Sequence, residues 1–204
     1  MTVYVETNFV LEHALEQQQS KSCSDLLALA RSGAIELAIP AFSLAEPHDA
    51  LLAKEKARHK LSEDLKSHLN ELGRSQQYRH VPGDFGALPG LILASGESER
   101  EGLRRTIHEI CGSAHIIPLD SSIFESAPRF EKDLDLSAED SLVFASIMKH
   151  LSETNPPESC FLNRNTKDFD NPSVREILDS RLCKFVGGFD EGLGFVRARL
   201  SGSS

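Results

Sequence analysis

The stretch "VYVETNFVLE", Val3–Glu12, holds a contradiction. Val3–Glu6 has the apolar character of a short buried strand, yet it closes on a carboxylate. Two small polar residues follow, Thr7 and Asn8, and a new apolar run begins at Phe9. An acid there marks either the point where a strand meets water or one corner of a site built from several strand ends. What terminates the other strands separates the two readings.

Beyond this stretch the chain alternates strands with helices. Asn8–Gln19 reads as a helix with Phe9, Val10 and Ala14 on its apolar side, and Cys23–Arg31 as a second helix that Gly33 stops. Ile35–Ile39 is a strand. Ser43 opens a long helix towards Leu72, with Leu61, Leu65, Leu69 and Leu72 at helical spacing and Gly73 at its end. Residues 81–102, "VPGDFGALPGLILASGESEREG", are rich in Gly and Pro and read as an irregular connection or lid around a short helix; Leu103–Cys111 is helical. The second half repeats the alternation. His115–Leu119 is a strand, Ser121–Phe130 a helix broken by Pro128, and Ser137–Leu151 a strongly apolar helix. Cys160–Leu162 is a strand, Asn171-Pro172 starts a short helix, and Lys184–Val186 is a last strand. Such alternation implies an α/β fold with a central, mainly parallel sheet of about five strands covered on both faces. The expected organisation is one domain over 1–200, elaborated by helical or irregular structure at about 54–113, with a disordered Gly-Ser tail at Ser201–Ser204.

The chain has 204 residues, 40% of them hydrophobic and 26% charged, which fits one compact domain with a real core or a domain carrying an insertion. It holds no apolar run long enough for a transmembrane helix. No basic-then-apolar leader precedes the first strand, so a signal peptide is not expected. The four cysteines, Cys23, Cys111, Cys160 and Cys183, are far apart and lack metal-ligand or redox spacing, which fits reduced thiols in a cytoplasmic protein. No H-x-x-x-H pair supports a zinc site. The net charge of −9 argues against coating duplex nucleic acid through one broad basic face.

Ligands of open parallel sheets bind outside the carboxyl ends of the strands. Glu6 ends the first strand, Glu46 lies in the first turn of the helix after the second, Asp140 in the first turn of the helix opened by Ser137, and Asp168 just after Cys160–Leu162. Asn8 and Asn165 add neutral oxygens. Each acid has a plain alternative. Ser43-x-x-Glu46 and Ser137-x-x-Asp140 resemble capping boxes, acids in a first turn suit the macrodipole, and Asp168 suits a turn. Together they point elsewhere. Two carboxylates about 4 Å apart repel by roughly 4 kcal/mol at an effective dielectric near 20. A divalent cation with hard oxygen ligands, Mg²⁺ or Mn²⁺, relieves that repulsion and suits phosphodiester hydrolysis.

The same residues carry a family resemblance. "VYVETNFVLE" resembles the first block of the PIN-domain nucleases, including the VapC-type toxins: a strand ending in an acid, then Thr or Ser, then Asn. "AIPAFSLAE" resembles the second block, with Glu46 as the helix-borne Glu. "LSAEDSLVFASI" resembles the third, which selects Asp140 rather than Glu139, and "FLNRNTKDFD" the fourth, which brings Asn165 and Asp168 to the site and Phe169 to the core. The resemblance reaches from the N-terminus to about residue 186, although residues 54–135 contribute little to it. It implies a PIN-like α/β/α sandwich and a Mg²⁺- or Mn²⁺-dependent endoribonuclease acting on single-stranded or structured RNA. Glu6, Glu46, Asp140 and Asp168 are then the catalytic and metal residues, supported by Asn8 and Asn165. It further implies a toxin–antitoxin setting, an inhibitory protein partner and a homodimer. The chain departs from the pattern at Glu6, where the family usually has Asp; the extra methylene moves the carboxylate by roughly 1.5 Å. Asn163 stands where a small hydroxyl residue is usual.

Basic residues near these blocks are candidate phosphate contacts. Lys54-Glu55-Lys56-Ala57-Arg58-His59-Lys60 is the densest basic stretch and reads as a solvated helix face or as a phosphate-gripping arm through Lys54, Lys56 and Arg58. Arg164, inside the fourth block, is expected to be the basic residue closest to the proposed metal and is a candidate phosphate contact. The absence of Trp and the presence of only two Tyr argue against extensive base stacking. Two other classes compete. One is a PIN-like module without catalysis that binds RNA or a protein. The other is a metal-dependent phosphatase, for which Glu6-Thr7-Asn8 does not supply the aspartyl nucleophile of a D-x-D stretch.

Overall fold

The computed structural model describes residues 1–202. Five short apolar segments form one sheet: β1 (Thr2–Tyr4), β2 (Glu36–Pro40), β3 (His115–Ile117), β4 (Ser159–Leu162) and β5 (Cys183–Val186). Their order is β3-β2-β1-β4-β5 and every neighbouring pair is parallel. Parallel strands need helical crossovers, and here these cover both faces. On one face Val3, Val5, Leu37, Ile39, Cys160 and Leu162 pack against α1 (Thr7–Ala14), α2 (Ser20–Arg31), the C-terminal half of α5 (Leu88–Cys111) and α10 (Phe189–Gly202). On the other, Tyr4, Ala38, Ile117, Phe161 and Phe185 pack against α6 (Ser121–Leu134), α7 (Ala138–Thr154), α8 (Thr166–Phe169) and α9 (Pro172–Asp179). Residues of opposite parity on each strand thus serve opposite layers of an α/β/α sandwich.

Local sequence explains several ends. Gly33 takes φ +74° after α2, and the Ala34 and Gly33 amides donate to the Leu29 and Ala30 carbonyls, both at 3.0 Å, as a Schellman motif requires. Asn171 caps α9 through its side-chain oxygen, 2.9 Å from the Val174 amide, with Pro172 at the first position.

The structure departs from expectation in several places, the early end of α1 at Ala14 among them. Residues 81–102 are not an irregular lid: after α3 (Phe42–Gly73) and a 3-10 turn (Gln76–Tyr78) come a short helix, α4 (Val81–Phe85), and then α5, unbroken from Leu88 to Cys111. Pro89 is tolerated in its first turn, and packing along α3 outweighs the glycines. Arg58 forks onto Glu99 at 2.8 and 2.6 Å, and Arg100 onto Glu55 at 3.0 and 2.9 Å, joining α3 to α5. Pro128 does not end α6, which continues to Leu134; Phe124 and Pro128 both lie on the exposed side, where water can take up the carbonyl that proline leaves without a helical partner. α3 starts at Phe42 and crosses Pro47, so Ser43 is not its cap. The C-terminal helix α10, which local periodicity did not announce, buries Phe189, Leu193 and Val196. It runs through Ser201 and Gly202, where a disordered tail was expected; Ser203 and Ser204 lie outside the described residues.

Candidate metal centre

The strand order reverses on either side of β1, so the carboxyl ends of β1 and β4 flank the switch point of the sheet, where α/β folds bind ligands. A cleft of about 720 Å³ opens there, lined among others by Glu6, Asn8, Glu46, Asp49, Asp140 and Asn165. Segments distant in sequence meet because the parallel strands point their carboxyl ends the same way.

Glu6 follows Val5, whose amide still bonds the Ala38 carbonyl at 3.0 Å. Its backbone is extended (φ −140°, ψ −164°) and it stands at the N-cap position of α1. The residue is 5% exposed, and among the described residues Oε1 has no hydrogen-bond partner. Burial pushes its carboxyl up to about 8; Asn8 hydrogen bonding pulls the other way, and the charges of Glu46 and Asp140 add to the rise.

Glu46 extends from the first turns of α3 and accepts a hydrogen bond from Thr7 Oγ1. The capping alternative fails for it, since the buried Ser43 Oγ is without a partner among the described residues. Asp140 keeps part of the capping role: Ser137 Oγ accepts from its amide at 3.0 Å and donates to its Oδ2 at 2.9 Å. Burial raises its carboxyl pKa, the Ser137 bond opposes this, and the charges of Asp168, Glu46 and Glu139 raise it further. Asp168 stands behind Asn165, which donates to its Oδ2 at 2.7 Å; its charge acts on Asp140, but it does not line the cleft.

Asn163 gains a role that its place in the motif did not signal. Fully buried, it accepts from the Asn165 amide at 2.7 Å and from Asn8 Nδ2 at 3.3 Å, so one side chain positions both supporting asparagines. Asp49, Glu139, Thr7 and Ser137 also belong to the lining. The i, i+3 spacing of Glu46 and Asp49 on one helix was the available signal for Asp49.

The basic candidates divide. Arg164 donates to the buried Glu12, whose other oxygen accepts from the Gln19 amide at 2.5 Å. Arg164 and Lys54 line a second depression of about 420 Å³ that shares Asn8, Leu11 and Asn165 with the main cleft. Lys56 is exposed on α3, whereas Arg58 is turned onto Glu99.

The donor set fits a hard divalent cation: carboxylates and amide oxygens, one carboxylate oxygen orphaned in a buried position. Among the described residues these acids do not form a tight cage. The one group of three potential ligands within 4.8 Å of one another is Glu36, His115 and His150. The wider acidic spacing leaves room for water beside an ion, as Mg²⁺ prefers. No helix of the described residues is long and apolar enough to cross a membrane. A family model described as PIN domain matches residues 3–169, from within β1 to the end of α8. No curated protein and no solved structure matches the chain.

Proposed function

Since the chain belongs to the PIN-domain family, whose fold is of nuclease type, we propose that it is a metal-dependent endoribonuclease that hydrolyses phosphodiester bonds of single-stranded RNA. The observation that carries this reading is the buried Glu6 carboxyl, one oxygen of which lacks a partner among the described residues, in an open cleft with two further acids. Burying an acid with an unsatisfied oxygen is costly, and fold stability alone gives no reason to keep it.

Glu6, Glu46 and Asp140 would hold Mg²⁺ or Mn²⁺, with Asp168 acting through Asn165 and Asp140. When bound, such a cation compensates phosphate charge and makes water acidic enough to serve as nucleophile. The chain's own groups set the geometry. Thr7 orients Glu46, Ser137 orients Asp140, and Asn163 holds Asn8 and Asn165. Glu6, whose carboxyl pKa is raised by burial, would have to be ionised to serve as a ligand. Arg164, anchored by Glu12, and Lys54 meet RNA phosphates beside the cleft.

The test is cleavage of end-labelled single-stranded RNA in Mn²⁺ or Mg²⁺. Asp140→Asn is expected to lower the rate at least about a hundredfold with the circular dichroism spectrum unchanged; equal rates would refute the assignment. A second reading, a catalytically impaired module that binds RNA or a protein, is favoured by the wide acid spacing and the long Glu6 side chain. It predicts RNA binding without cleavage in any divalent metal. A cytoplasmic location, a homodimer and an inhibitory protein partner complete the proposal, and light scattering on the purified chain tests the dimer.

A further inference from the structure

At the other end of the sheet, residues from three elements converge. Tyr4, Ala38 and His115 stand in register across β1, β2 and β3, and Glu36 lies two residues before Ala38 on the same face. Ala38 carries only a methyl group, and His150 of α7 sits over this row. Its ring meets Tyr4 edge-on at 5.6 Å and lies against His115 at 4.7 Å. Glu36, His115 and His150 bring one ligand atom each within 4.8 Å of the others, and Glu36 and His115 are exposed to solvent. We propose that these three residues form a second metal site, distinct from the acidic cleft, for a borderline transition cation of the Zn²⁺ type.

The hydrogen bonds around His150 prepare it for this role. Tyr4 Oη lies 2.8 Å from His150 Nδ1, so this ring nitrogen is engaged with the phenol. An Nδ1 that donates to Tyr4 leaves Nε2 with the lone pair that a metal takes. A metal-ligating histidine commonly donates its other ring N–H to an oxygen in this way. Burial, with His115 nearby, lowers the His150 pKa and favours the neutral ring that a metal needs. Thr2 Oγ1 donates to Glu36 Oε2 at 2.7 Å and restrains that carboxylate. Two imidazoles and one carboxylate suit Zn²⁺ and its neighbours rather than Mg²⁺, and three protein ligands leave a position for water. Bond lengths of about 2.0–2.1 Å require small rotations of the two exposed side chains.

Such an ion would tie β2, the edge strand β3 and α7 together. His150 lies ten residues from Asp140 on the same helix, about 15 Å along its axis, so the clamp steadies the element that presents Asp140 to the cleft. The experiment uses the chelator-treated full chain carrying Asp140→Asn, which weakens the acidic site. Titrated Zn²⁺ is expected to bind one ion per chain and, at a hundredfold excess over Kd, to raise the thermal midpoint by about 5–10 °C. Co²⁺ is expected to give visible d–d bands. In the same background His115→Ala and, separately, the isosteric Glu36→Gln should abolish the bands and the thermal shift. Retention of both in either folded variant, or no binding in the Asp140→Asn protein, overturns the site.

Discussion

Glu6 is the side chain on which the proposed metal site turns. Its carboxyl is pushed up from an ordinary 4.5 to about 8, so the folded state holds a proton that the unfolded chain releases near pH 4.5. The stability this contributes is fully present below about pH 4.5 and is lost as pH rises through about 8, up to about 4–5 kcal/mol in the metal-free protein. Glu6→Gln cannot ionise and should escape this loss. Urea unfolding between pH 4 and 9 without metal should therefore show the wild type falling relative to the variant, and excess Mn²⁺ should flatten the wild-type curve. Parallel curves would mean that Glu6 is solvated. The acid was legible as one that interrupts an apolar run; the missing partner of its Oε1 was not, since that depends on every group packed around it. Glu46 shows the same division. Its spacing from Ser43 suggested a capping box, but the Ser43 hydroxyl does not cap and Glu46 accepts from Thr7, 39 residues away in sequence. Asn163, an unremarkable departure from a motif, holds two other asparagines in place.

At the level of elements, periodicity and stop signals located the five strands and most helices, while packing decided the remainder. The Gly- and Pro-rich stretch ahead of Leu103 has poor helix propensity, yet α5 forms along α3, tied by Arg58–Glu99 and Arg100–Glu55. Gly102 permits the close approach of α5 to α1. A Cβ there would meet the Ala14 carbonyl oxygen at 2.2 Å, and backbone cannot yield without moving α1. Gly102→Ala should therefore destabilise the protein by about 1–3 kcal/mol, against a propensity gain of at most about 1 kcal/mol. Chemical denaturation measures the balance, and a neutral or stabilised variant would show that α1 and α5 separate freely. Long-range packing also decides the start of α10. Gln19 Oε1 accepts from the Phe189 amide at 2.6 Å, a cap supplied from 170 residues away that no local window contains.

Across the whole molecule the charge is −9, so the proposed RNA substrate could not be held by a general positive field and would have to meet a local one. If Lys54 and Arg164 with at most one further cation contact phosphates, log K against log salt should have a slope of about −1.4 to −2.1, at about −0.7 per contact. Lys54→Ala should lower its magnitude by about 0.7, whereas Arg58→Ala, already committed to Glu99, should leave it unchanged; filter binding over a salt series reads both. A much steeper slope would place the RNA on a broader surface. From the linear chain alone came the alternation of strands and helices, the parallel sheet, and an acid after each of several strands, because these follow from local periodicity and from the direction that parallel crossovers impose. The strand order, the retreat of Asp168 behind Asn165, the diversion of Arg58 and the meeting of Glu36, His115 and His150 had to wait for the folded molecule. Those depend on distances between residues far apart in sequence, and such distances are set by how the layers pack.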